Sequence, residues 1–187
     1  ELELVQGYVR IAPHAETDTH IRIDGARCAA AFNKVTGLLD SFTVDGVEQL
    51  VAPSGQIKAY WDNEDPWAMW ARGFGSEAGE FRLLSAEEAN RFNGNPEESR
   101  ANLRVIENGW VRAKLQAVYG CENSTAVVTY TVNKLGGTVD VHVKFLSATA
   151  NRLYKMLWAP AATGRFVGQT AFGREPLRTD GSEVTFH

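Results

Sequence analysis

The stretch TVDVHVKFL, Thr138–Leu146, alternates without a break: Val139, Val141, Val143 and Phe145 point one way and Asp140, His142 and Lys144 the other. A period of two with one apolar and one polar face belongs to an antiparallel strand that has one face on a core and one in water. Working outward, Gly136-Gly137 supplies a turn before it, and residues 126–132 read as the preceding strand. Residues 110–119 (WVRAKLQAVY) read as another, with Val111, Ala113, Leu115 and Ala117 on one face. Nearer the start, HIRID (His20–Asp24) and residues 26–33 are two further strands, followed by a Thr36-Gly37 turn. Residues 38–45 (LLDSFTVD) then run into Asp45-Gly46 and a return strand over 47–51, and an Asp-Gly pair between alternating segments is a strong hairpin signal. Short strands joined by short turns predict an all-β fold, an antiparallel β-sandwich in preference to a closed barrel.

At 187 residues the chain suits one such domain, covering 1–187. One segment has a helical signature: Ser85-Ala86-Glu87-Glu88 is a capping box, after which NRFNGNPEESR reads as a long surface excursion. The net charge of −4 is spread over interspersed charges of both signs with no basic block, so no nucleic-acid partner is expected. No apolar run approaches the ~20 residues of a membrane-spanning helix, so no membrane partner is expected either. The first residues carry neither an initiator Met nor the basic and apolar regions of a signal peptide, and His187 closes an apparent strand. The expectation is a piece cut from a longer, cytoplasmic chain. Cys28 and Cys121 are too few for a disulfide scaffold or a structural zinc site and read as buried or edge thiols, with one bridge open if their strands adjoin. Asn123-Ser124-Thr125 is an acceptor sequon with meaning only in a secreted eukaryotic protein.

The segment richest in chemistry is YWDNEDPWAMW, residues 60–70, with three tryptophans, a tyrosine and three carboxylates. Flat rings that stack on sugar C–H faces, beside acceptors for sugar hydroxyls, are what a site for a small polar ligand requires. On that reading Tyr60, Asp62, Asn63, Asp65 and Trp67 bind substrate. The same composition fits tryptophans filling a core while Asp62, Asn63 and Asp65 build a turn before Pro66. A calcium loop over Asp62 to Asp65 is a third possibility, without the ligand spacing or glycine of an EF-hand. Paired carboxylates cleave glycosidic bonds, but the closeness of Asp62 and Asp65 in sequence does not set them across a cleft. His14, His20, His142 and His187 are scattered, and there is no His-x-x-x-His, Cys-x-x-Cys, nucleophile elbow or phosphate loop. Gly73-Phe74-Gly75 reads as a hinge. No catalytic residue and no metal ligand is assigned, and the chain by itself is not expected to catalyse a reaction.

The succession FNKVTGLLDSFTVDGVEQL, GQIKAYWDNEDPWAMW, GEFRLLS, ANLRVIENGWVRAKLQAVY and VVTYTVNKLGGTVDVHVKF resembles the C-terminal part of α-mannosidases of glycoside hydrolase family 38. The matching motifs are Thr36-Gly37-Leu38, the run VIENGWVR from Val105 to Arg112, and Val139-Asp140-Val141. The closing GQTAFGREPLRTDGSEVTFH is similar to a later segment of that family. The likeness covers nearly the whole chain from about Ala26 onward. It implies a β domain of galactose-mutarotase-like supersandwich type, one part of a larger glycosidase of mannose metabolism. It also implies a partner, an N-terminal catalytic barrel in the same chain, which holds zinc or another divalent metal and the nucleophilic Asp. No cofactor would then belong to this β domain. Its role would be to stabilise the barrel and lend side chains to the rim of a mannoside site, Tyr60 being the position matched to a substrate-contacting tyrosine. Two other carbohydrate readings stand beside it: a β domain of a β-galactosidase-type enzyme with Trp61 or Trp67 at the rim, and a free-standing carbohydrate-binding module using Trp61, Trp67 or Trp70. An aldose epimerase is disfavoured, since it needs an acid and a base about the sugar, His142 is the one plausible strand histidine, and the chain is shorter than a full supersandwich.

Overall fold

Five strands follow one another in an antiparallel meander: β1 (Ala15–Glu16), β2 (His20–Asp24), β3 (Cys28–Asn33), β4 (Leu39–Val44) and β5 (Val47–Glu48). The chain continues through β6 (Gln56–Trp61), β7 (Glu77–Glu80), β8 (Arg82–Leu83), α1 (Ala86–Asn93) and β9 (Leu103–Asn108). It ends in β10 (Arg112–Cys121), β11 (Ser124–Asn133), β12 (Thr138–Leu146), β13 (Arg152–Leu157), β14 (Val167–Thr170) and β15 (Gly173–Pro176). The computed structural model describes residues 15–62, 76–93, 102–162 and 164–177. Besides the meander there is a sheet in the order β12-β11-β10-β8 with β9 also on β10, a three-stranded sheet β13-β6-β7, and the hairpin β14-β15. Every pairing is antiparallel.

The meander and the three-stranded sheet join through the bridges Leu39 to Ser54 and Leu50 to Pro160, and together they face the β10–β11 sheet. Alternation decides what lies between. Ile21, Ile23, Cys28, Ala30, Phe32 and Leu39 come from the meander and Ile57 and Ala59 from β6; Ala113, Leu115, Ala117 and Tyr119 come from β10 and Ala126, Val128, Tyr130 and Val132 from β11. All belong to one buried cluster, so the architecture is an antiparallel sandwich around a single core. Phe32 and Tyr130 meet across it with ring centroids 5.0 Å apart.

Two tyrosine hydroxyls set the spacing of the layers. The Tyr119 hydroxyl donates to the Gly37 carbonyl at 2.7 Å, and a Cβ on Gly37 would stand 2.6 Å from that oxygen. A Cβ on Gly55 would stand 2.4 Å from the Tyr130 hydroxyl. Both glycines also adopt positive φ, +76° and +94°, so no other residue fits either place without strain. Burial pushes both phenols up, Tyr130 to about 12, so both hydroxyls stay protonated at neutral pH.

Local chemistry explains the element ends. Asp45 and Gly46, both at positive φ, close the β4–β5 hairpin, and Arg27 pairs with the Asp45 carboxylate. The return strand, expected over 47–51, stops at Glu48. Its carboxylate accepts the Ser41 hydroxyl at 2.5 Å and the amides of Phe42, Gln49 and Leu50 at 2.9–3.1 Å, which curls the chain off the sheet. The strand expected over 110–119 is displaced to Arg112–Cys121, because Gly109 donates to the Arg112 carbonyl and closes the hairpin there. Val111, expected inward, is therefore exposed in the turn. Both thiols are free: Cys28 is buried on β3, and Cys121 ends β10 in the opposite layer.

α1 begins where the capping box predicts. Glu88 donates its amide to the Ser85 hydroxyl at 3.2 Å, and the Ser85 amide donates to the Glu88 carboxylate at 2.8 Å. Arg82 grips the same carboxylate in a fork at 2.6 and 2.9 Å. The helix lays Ala89 on Val118 and thereby covers the outer face of β10 and β11.

Two outcomes follow. Tyr119→Phe is expected to lower stability by about 1–2 kcal/mol in urea unfolding, since it orphans a buried carbonyl, and Gly55→Ala by more. The hydrogen bonds and charge of Arg82, with the Ser85 amide, hold Glu88 down from 4.5 to about 2. Its contribution is complete above pH 4.5 and disappears as pH falls towards 2. Unfolding curves of the native chain and Glu88→Gln should therefore differ at pH 6 and converge near pH 2.

Candidate functional site

The aromatic–acidic segment begins at the end of β6, and the alternation of that strand divides its first residues. Gln56, Lys58 and Tyr60 point outward, while Ile57, Ala59 and Trp61 point to the side of the core. Tyr60 and Trp61, neighbours in sequence, thus serve opposite faces. On the outer face the Lys155 ammonium stands 4.8 Å from the Tyr60 ring centroid, and Lys58 pairs with Glu77 at 2.8 Å.

Trp61 lies where the core runs out, and 46 % of it is exposed. Arg152 of β13 is its register partner, and the guanidinium carbon sits 3.7 Å from the ring centroid, a cation–π stack. The Arg152 side chain is itself only 7 % exposed. It is held by donating to Glu122 at 2.8 Å and to the Asn151 carbonyl at 3.0 Å. Glu122 occupies the β10–β11 turn at φ 52°, and its hydrogen bond and charge pairing with Arg152 keep its carboxyl below the usual range. Asp62, half-buried, donates its amide to the Asn151 carbonyl at 3.1 Å, which ties the exit of β6 to the start of β13. Of the other expected site residues, Asn63, Asp65 and Trp67 lie outside the described residues, as do Glu64, Trp70 and the Gly73–Gly75 hinge.

The β10–β11 turn is anchored from behind. The Ser124 hydroxyl is 3.1 Å from both the Thr149 and the Tyr154 hydroxyls, and Ser147 is 2.9 Å from Tyr154. Tyr154 stacks on Phe145 at 5.2 Å, and both meet the edge of Phe81. Beside the turn, a cleft of about 370 Å³ opens between β7 and the end of β10. Glu80, Arg82, Glu122 and Thr125 are among its lining residues.

The arrangement offers a half-exposed indole whose other side is backed by a fixed cation, with carboxylates around it. It suits stacking and hydrogen bonding to a polar ring. Burial raises the Cys121 thiol, which disfavours the nucleophilic thiolate. His20 is bonded through Nε2 to Asp40 at 2.9 Å, and His142 stands on the polar face of β12. Among the described residues no three His, Cys, Asp or Glu side chains converge as a metal site. Arg152 and Glu122 carry no local signature in sequence; they join Trp61 only through the β6–β13 register and the hairpin turn. Compared with known protein families and with curated proteins, the chain has no significant match to either.

Arg152→Ala is expected to cost roughly 2 kcal/mol in urea unfolding, through lost packing, the stack and an orphaned Glu122, while Trp61→Ala costs less than about 1 kcal/mol because the ring is half in water.

Proposed function

We propose that this chain is a non-catalytic β domain of galactose-mutarotase-like type from an α-mannosidase-like glycoside hydrolase. In this reading it braces an N-terminal catalytic barrel and presents the segment from Tyr60 to Trp67 at the rim of a mannoside site. The zinc or other divalent ion that such an enzyme uses belongs to that barrel, and no reaction step is assigned to residues of this chain. The observation that carries the reading is Trp61: a large ring left half in water and immobilised from one side by a buried Arg152. A ring kept only for stability would be placed deeper, whereas a preorganised exposed ring lowers the ordering cost of binding. The antiparallel sandwich and the resemblance in sequence support the same assignment.

A free-standing carbohydrate-binding module, or the β domain of a β-galactosidase-type enzyme, would use the same ring, and affinity separates the first of these from a rim role. Mannose and mannobiose, titrated against the tryptophan fluorescence of the chain, are expected to bind no tighter than the millimolar range, with the response lost in Trp61→Ala. Saturation at micromolar sugar would make the chain a self-sufficient binding module. No response at saturating sugar would overturn the rim role, as would full turnover in the longer enzyme carrying Tyr60→Phe, Asp62→Ala and Trp67→Ala.

A further inference from the structure

We infer that the cleft between β7 and the β10–β11 turn is a saccharide subsite, of one or two neutral sugar rings, that extends the Trp61 platform. The inference rests on the proposed reading that the Trp61 end of the sandwich meets sugar.

The cleft is a consequence of how the chain changes layers. β7 pairs with β6 and β8 pairs with β10, yet a single residue, Phe81, separates them. Phe81 buries its ring and donates its amide to Ile57, so the chain steps from one sheet to the other there, and the sheets part on either side of the step. Two lining glycines let neighbouring side chains pack closely against the backbone there. A Cβ on Gly120 would stand 2.6 Å from the Leu84 side chain, and one on Gly79 would stand 3.1 Å from the Cys121 sulfur. The resulting volume of about 370 Å³ lies at the small end of the roughly 300–1,000 Å³ of ligand sites.

Its walls select the ligand. Glu80 is one of the lining residues, and its cross-strand neighbour Lys58, which feels its charge, gives its own hydrogen bond to Glu77. Glu122 and Thr125, from the β10–β11 turn and the start of β11, line it as well. Arg82 closes one end, with its charge already matched by Glu88. A phosphate or carboxylate would face three carboxylates and no uncommitted cation, so an anionic ligand is disfavoured. Hydroxyl groups, by contrast, can donate to Glu80 and Glu122 and accept from Thr125 or Arg82, the pattern a sugar ring edge provides. Glu122 also links this cleft to the aromatic platform, because the same carboxylate receives Arg152, which lies on Trp61. A disaccharide could then place one ring on the indole and the next in the cleft.

The test is a titration of the isotope-labelled chain with mannobiose, following by NMR the amides of Gly79, Gly120 and Thr125 and the indole N–H of Trp61. Saturable shifts in both groups are expected. Glu80→Gln should weaken the cleft response roughly tenfold, as the loss of one charge-assisted hydrogen bond does, and leave the Trp61 shift in place. Thr125→Val, whose side chain keeps its shape, should act in the same direction where Glu80→Gln fails to fold. Shifts at Trp61 alone would overturn the cleft while leaving the rim reading intact. Shifts at the cleft alone would overturn the inference as an extension of the Trp61 platform. Shifts at neither would overturn both, and saturable cleft shifts with calcium but not with mannobiose would make it a cation site instead.

Discussion

The contact of two buried tyrosines with two glycines governs how the layers of this sandwich meet. Tyr119 on β10 and Tyr130 on β11 reach across the core, and their hydroxyls stop against Gly37 and Gly55, where no Cβ could stand. The Tyr119 hydroxyl is satisfied there by the Gly37 carbonyl, whereas the buried Tyr130 hydroxyl has no hydrogen bond among the described residues. The distance between sheets is therefore set by a hydrogen bond and two close approaches, in addition to the packing of aliphatic side chains. Both glycines sit at connections leading into strands, Gly37 before β4 and Gly55 before β6, so the same contacts also aim those strands.

From that frame the site follows with little further freedom. Once β6 leaves Gly55, alternation places Ile57 and Ala59 in the core and brings Trp61 to its margin. Pairing with β13 puts Arg152 opposite, and the hydroxyl cluster of Ser124, Ser147, Thr149 and Tyr154 fixes the turn that carries Glu122. The half-exposed ring rests on Arg152, which is itself nearly buried and bonded to Glu122 and the Asn151 carbonyl.

Much of the strand content is legible in residues alone. HIRID, TVDVHVKFL, the Asp45-Gly46 hairpin and the Ser85 capping box each carry a signal with a local cause, and each forms as that cause requires. Where the expectation slips, a neighbour intervenes. Glu48 collects backbone amides and ends β5 early, and the Gly109 hairpin displaces β10 and turns Val111 out to water. β13, RLYKML, lacks an amphipathic stripe because its inner face holds Arg152, Tyr154 and Met156, a series that no hydrophobic count picks out.

Residues by themselves determined an antiparallel β chain, its principal turns and the aromatic–acidic segment as the place to look for a ligand, since these depend on side-chain periodicity and φ preferences within a few neighbours. Tertiary structure alone decided that Tyr60 and Trp61 face apart, that Arg152 and Glu122 support the ring, and that a cleft opens beside Phe81. Those facts arise from strand register and the meeting of sheets, which join residues from 30 to 101 positions apart and leave no trace in local sequence.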